Sequence, residues 1–268
     1  MPEPKITFRI IRRCNFDCPG CCTFSSLERK GAVSLENFKR AIDILSECEF
    51  QGTLNVSGGE TILHEDLPAM LEYASRKLDR ARIALFTNGE WVGSRGWEYR
   101  LKSLFTGTNV LIHFSHDSQH TRGRLSAVGI SPDCSGLEAA ESERQAKARL
   151  FRDAMLGMGA RPGVDFDFAF KGTIEAAENY MKDLGPVPVY LIRLREDPEN
   201  TPKEYGFMAL DVQEDNQVLV YPTLGHIPTG EPLGGLDSLP EALAMNRAAL
   251  KDRGPADEQH HWTRQNRD

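Results

Sequence analysis

The chain has 268 residues, 40% of them hydrophobic, and a formal net charge of −7. That length allows one or two domains with a sizeable core, and the acidic balance argues against a general nucleic-acid-binding surface. Met1-Pro2-Glu3-Pro4-Lys5 contains no apolar signal core, and no apolar run approaches the roughly 20 residues of a membrane-spanning helix. With six cysteines, three of them packed into eight positions, the pattern is unlike a secreted disulfide framework and implies a reducing cytoplasm.

In chain order, Ile6-Thr7-Phe8-Arg9-Ile10-Ile11 reads as a first strand, rich in β-branched and aromatic residues. Ser34 can cap a helix to about Glu47, with Leu35, Phe38, Ile42 and Leu45 at helical spacing. Thr53 to Val56 is a second strand. Asp66 and Pro68 open a helix whose stripe is Met70, Leu71, Ala74 and Leu78. Ile83 to Phe86, Asn109 to Phe114, Asp165 to Phe170 and Val187 to Leu194 continue the strands. Helices are expected near Trp97 to Phe105 and Leu137 to Met158. Such alternation predicts a parallel sheet with right-handed crossovers and ligands at the carboxyl ends of the strands. Gln119 to Gly136 is polar, has no clear period and reads as a long connection that is either a functional loop or a mobile one. Phe207 to Val212 and Gln217 to Tyr221 suggest a hairpin, followed by a helix capped by Ser238.

The chemistry concentrates in Cys14-Asn15-Phe16-Asp17-Cys18-Pro19-Gly20-Cys21, on the loop leaving the first strand. Three soft thiols on one short loop suit zinc or an iron–sulfur cluster. A structural zinc site would need a fourth ligand, available in principle from Cys22, Cys48, Cys134 or a histidine. Three ligands alone leave one metal position open to a substrate or cofactor.

Cys-x3-Cys-x2-Cys after the first strand, then Gly58-Gly59-Glu60 after the second, resembles the radical S-adenosylmethionine (radical SAM) superfamily. Thr87-Asn88-Gly89 and Ser115-His116-Asp117-Ser118 follow strands three and four as in that family. The resemblance covers roughly residues 5 to 195. It implies an α/β fold, a partial (β/α)6 radical SAM barrel over residues 1–196. A small hairpin-plus-helix extension over 197–253 resembles a SPASM/twitch element that lacks its cluster cysteines, since no cysteine follows Cys134. One cluster is therefore expected, with the extension covering the barrel and a polar tail over 254–268 expected to be disordered.

The resemblance also implies the site. Cys14, Cys18 and Cys21 would hold a [4Fe-4S] cluster whose fourth iron binds S-adenosyl-L-methionine. One electron then cleaves that cofactor to methionine and a 5′-deoxyadenosyl radical, which takes hydrogen from an unactivated carbon. Gly58 and Gly59 would let backbone approach the cofactor, and Glu60 would meet its amino group. Asn88, Ser115 and Arg193 are further cofactor candidates. Many members carry an aromatic residue just before the third cysteine, where this chain has Gly20; Phe16 or Phe24 would then pack the adenine.

For substrate, Cys134, His113 and Asp117 are the candidates: a thiol hydrogen donor, a lumen-facing histidine, and a contact that could instead be a helix cap. His64 lies just beyond Glu60, Lys171 ends strand five, and Arg193 and Arg195 share one face at the end of strand six. The expected function is hydrogen abstraction from a small-molecule or peptide substrate. An external one-electron donor such as flavodoxin or ferredoxin would serve it. The alternatives are a glycyl-radical-enzyme activase and a non-catalytic zinc- or cluster-binding module.

Overall fold

The computed structural model describes residues 4–106, 108–131, 136–171, 174–184, 188–192, 207–224, 227–228, 231–251 and 261–262. Ten strands form one sheet: β1 (Lys5–Ile11), β2 (Thr53–Gly58), β3 (Arg82–Thr87), β4 (Val110–Ser115), β5 (Phe166–Lys171), β6 (Val189–Ile192), β7 (Phe207–Val212), β8 (Val218–Leu224), β9 (Ile227–Pro228) and β10 (His261–Trp262). Their order is β10-β6-β5-β4-β3-β2-β1-β7-β8-β9. Seven consecutive strands, β6 through β1 to β7, are parallel, and the outer ones pair antiparallel. The helices are α1 (Leu35–Glu47), α2 (Leu67–Lys77), α3 (Trp97–Phe105), α4 (Ser118–Ala127), α5 (Leu137–Gly157), α6 (Ile174–Tyr180) and α7 (Leu239–Lys251). The result is an open, partial barrel. Among the described residues no helix is long and apolar enough to cross a membrane.

The two faces of the sheet differ, as a period of two in the strands dictates. Ile6, Phe8 and Ile10, Leu54 and Val56, Ile83 and Leu85, Ile112 and Phe114, and Phe166 and Phe168 belong to the core shared with the helices. Phe8 stacks on Phe38 of α1, with centroids 5.3 Å apart. Each such buried side chain contributes roughly 1.5–3 kcal/mol. The opposite face is polar and just as buried: Thr7, Arg9, Asn55, His113, Ser115, Asp167 and Asp211. A parallel sheet packed by helices on both faces would be apolar on both. The polar face here lines the inside of the partial barrel.

Two elements depart from expectation. The segment read as a loop from Gln119 begins with α4. Asp117 caps that helix, its side chain accepting from the His120 amide. Apolar periodicity missed it because its buried residues are Thr121, Gly123 and Leu125, of which only the last is a large apolar. The hairpin β7–β8 also does more than cover the barrel. β7 pairs parallel with β1, so the β1 edge is filled. Arg247 of α7 donates to the carbonyl of Cys48, 2.7 Å away, at the end of α1.

Candidate active site

The cysteine loop is shaped by its own turn chemistry. Cys18-Pro19-Gly20-Cys21 closes with Cys21 N donating to Cys18 O at 3.1 Å. Gly20 has φ +68°. Proline second and a positive-φ glycine third is the signature of a type II turn, and it folds Cys18 back beside Cys21. Cys14 N donates to Ser26 O at 3.0 Å and so fixes the other end of the loop. Lys171, at the end of β5, donates from Nζ to Gly20 O at 2.9 Å.

Cys14, Cys18 and Cys21 line one cavity of about 980 Å³, part of it open to solvent. Its wall includes Phe16, Gly58, Gly59, Asn88, Ser115, His120 and Lys171. Burial pushes the Cys14 thiol up to about 12, and burial likewise raises Cys18. Bound metal would reverse that sign by taking the thiolates. A structural zinc ion needs four donors at about 2.0–2.3 Å from one point. Among the described residues no three His, Cys, Asp or Glu side chains gather that way. A cubane instead takes each thiolate at a different iron, so the donor set fits a [4Fe-4S] cluster, with the open side of the cavity left for S-adenosylmethionine. Cys22 lines the same cavity, so the ligand count is a point for experiment.

The site residues named from sequence take distinct places. Gly58 and Gly59 line the cavity, but what forbids a side chain there is the backbone at the end of β1 and just after it. A Cβ on Gly58 would lie 2.3 Å from Ile11 O, and one on Gly59 2.1 Å from Arg13 O. Glu60 is 1% exposed and lies outside the cavity wall. Its carboxylate accepts from Thr87 Oγ1 at 2.7 Å, Asn88 N at 2.7 Å and Ile62 N at 3.1 Å. Burial raises its pKa against those bonds. Asn88 donates from Nδ2 to Asn15 Oδ1 at 2.7 Å, tying β3 to the cysteine loop. His113 is buried away from the cavity wall, its Nδ1 hydrogen-bonded to Asp167 on β5 and its ring 4.4 Å from that of Phe86. His64 is a buried structural residue, with Nε2 against Val33 O at 2.8 Å. Cys134, Arg193 and Arg195 lie outside the described residues.

Asp117 is the cap of α4 and also a clamp. Oδ1 accepts from His120 N at 2.9 Å and lies 2.8 Å from His120 Nδ1, while Oδ2 accepts from Lys171 N at 3.3 Å. Burial works to raise its pKa, but His120 and then Arg144 outweigh it and bring Asp117 down to about 2. Sequence reading missed His120, which Asp117 holds at the cavity wall, and Arg144. Arg144 occupies a core position of α5, in step with Ala140, Ala148, Phe151 and Met155. A charged residue in register with a buried stripe was the available signal.

A model of the Radical SAM superfamily matches residues 8–122, the stretch that carries the cysteine loop and the ends of β2, β3 and β4. Over that stretch the chain is similar to the radical SAM superfamily. It is 36% identical over 83 residues to the subtilosin biosynthesis protein AlbA of Bacillus subtilis strain 168, covering 31% of this chain and 18% of AlbA. It is 30% identical over 86 residues to an S-adenosylmethionine-dependent nucleotide dehydratase of Selenomonas ruminantium, covering 32% of this chain and 30% of the relative. The matches thus span less than a third of the length of either relative. Among solved structures, Streptococcus suis SuiB bound to S-adenosylmethionine superposes with a TM-score of 0.52 at 10% identity, covering 90% of this chain and 65% of SuiB. That likeness concerns the fold alone. Radical SAM proteins use a [4Fe-4S] cluster and S-adenosylmethionine, the two groups whose fit the cavity supports.

Proposed function

We propose that this chain reductively cleaves S-adenosylmethionine at a [4Fe-4S] cluster on Cys14, Cys18 and Cys21, and that it takes hydrogen from a small-molecule or peptide substrate. The observation that carries the reading is the meeting of three thiols from one loop with the polar ends of β2, β3 and β4 around a single cavity. When bound, the two groups supply the electron and the carbon-centred radical, chemistry no side chain can provide. The protein's own part is positional. Glu60 fixes the backbone of Asn88, Asn88 fixes Asn15, and Lys171 fixes Gly20, so the loop is held from two strands at once. Asn88, Ser115 and His120 are among the polar residues that line the cavity wall, where a bound cofactor would lie. The electron comes from an external carrier of the flavodoxin or ferredoxin kind.

Substrate class follows the relatives only loosely. The name of AlbA points to a peptide product and that of the dehydratase to a nucleotide. The test is anaerobic reconstitution followed by dithionite and S-adenosylmethionine. The reading expects 5′-deoxyadenosine and methionine in equal amounts, and their loss in Cys18→Ala. A reconstituted protein that leaves the cofactor intact contradicts it.

A further inference from the structure

Arg144 is 0% exposed, the largest side chain of the fully buried set. Its Nη1 donates to the Asn88 carbonyl at 3.1 Å and its Nη2 to the Ser115 carbonyl at 2.7 Å. The guanidinium also lies 5.4 Å from the centre of the Phe16 ring and 5.9 Å from that of Phe114. Nε has no partner among the described residues. No carboxylate is among these contacts. Asp117 and Glu90, the carboxylates within electrostatic reach, are engaged elsewhere, Asp117 by His120 and Lys171 and Glu90 by Arg124 and Lys147. A full positive charge buried with carbonyls and rings alone is expensive, because carbonyl dipoles and aromatic faces only partly replace water. Such a charge calls for an anion nearby.

The place where that anion would sit is set by geometry. Phe16, on whose ring the guanidinium lies, is between Cys14 and Cys18, and its amide donates to Cys14 Sγ at 3.4 Å. Cys18 is also among the groups whose charge Arg144 feels. A cluster held by three thiolates carries net negative charge and gains more on reduction, and reduction potential follows net charge and hydrogen bonding around it. We propose that the buried guanidinium of Arg144 is the counter-charge of the cluster on Cys14, Cys18 and Cys21 and raises its reduction potential. Arg144 is then a positioning residue that acts through its charge. It joins the ends of β3 and β4 to the cysteine loop and favours the reduced state. The inference rests on the cluster assignment above.

The experiment compares the wild type with Arg144→Met, Arg144→Gln and Arg144→Lys, all full-length and anaerobically reconstituted. Iron content, the midpoint potential of the cluster and the melting temperature before and after reconstitution are measured. The neutral variants should hold a cluster of more negative potential, or lose iron, and gain less melting temperature on reconstitution than the wild type. Arg144→Lys, which keeps the charge and not the forked geometry, should stay near the wild-type potential. Neutral variants with wild-type potential and iron overturn the proposal, as does a lysine variant shifted as far as the neutral ones. If the neutral variants fail to fold without cluster while the lysine variant folds, the apoprotein itself needs the charge, and the counter-charge role is again wrong. A wild type that takes up no cluster refutes the cluster assignment instead, so the two failures are distinct.

Discussion

Gly123 of α4 lies against Cys18 so closely that a Cβ in its place would fall 2.3 Å from Sγ, 2.7 Å from Cα and 2.8 Å from N. The Gly123 carbonyl also accepts from Asp17 N at 2.9 Å. Helix α4 is therefore the back wall of the cysteine loop. Gly123→Ala favours the helix by about 1 kcal/mol in propensity, yet two of the three close atoms are backbone and cannot swing aside. The expected outcome is an α4 that stays helical and a loop that moves. Iron uptake on reconstitution should drop several-fold while circular dichroism is unchanged. Full iron occupancy would contradict the packing.

Glu60 serves the fold before any cofactor. Removing its carboxylate orphans Thr87 Oγ1, Asn88 N and Ile62 N, all of which it now accepts from. A buried polar group left unpaired costs about 1–3 kcal/mol. Glu60→Ala should destabilise the apoprotein by about 3 kcal/mol or more in urea unfolding, and Glu60→Gln by less. An alanine variant as stable as the wild type would confine Glu60 to cofactor binding.

Acid should destabilise this protein over two pH ranges, with the sign fixed in each. His116 packs among Phe114, Phe168 and Tyr180. Burial, and then the charge of Arg144, holds its pKa down from 6.5 to about 3. The unfolded chain takes that proton first, so the stability is complete above about pH 6.5 and is lost as pH falls toward 3, on the order of 5 kcal/mol. Asp117, lowered from 3.8 to about 2, adds on the order of 2 kcal/mol that is present above about pH 4 and lost below it. Urea unfolding of the apoprotein from about pH 7 to about pH 4 should show the first loss, and His116→Phe should flatten it. A histidine-independent slope would contradict the burial of a neutral ring.

The parts of this structure that were legible from sequence are those governed by local rules. Ser34 caps α1 through a hydrogen bond from Asn37 N at 3.1 Å, as its position suggested. Strand periodicity placed Ser115 and His113 on the inner face, and the turn residues placed the cysteine loop. The rest depended on long-range fit. Arg9 and Asp211 form a buried ion pair at 3.5 Å across 202 residues, which needs the parallel pairing of β7 with β1 to be known first. Gly58 and Gly59 announced a close approach, but only the fold shows that the approaching backbone is that of Ile11 and Arg13. Arg144 sits in register with the buried stripe of α5, but that stripe is mostly alanine near it, and only the fold shows that the charge turns inward onto the Asn88 and Ser115 carbonyls.

The ligand count is tested most directly by one variant pair. Anaerobically reconstituted Cys22→Ala should keep the wild-type iron and sulfide content and an electron paramagnetic resonance spectrum that changes when S-adenosylmethionine is added, while Cys18→Ala loses both. If Cys22→Ala loses iron as fully as Cys18→Ala, all four thiols are ligands, no metal position is open to the cofactor, and the radical assignment fails.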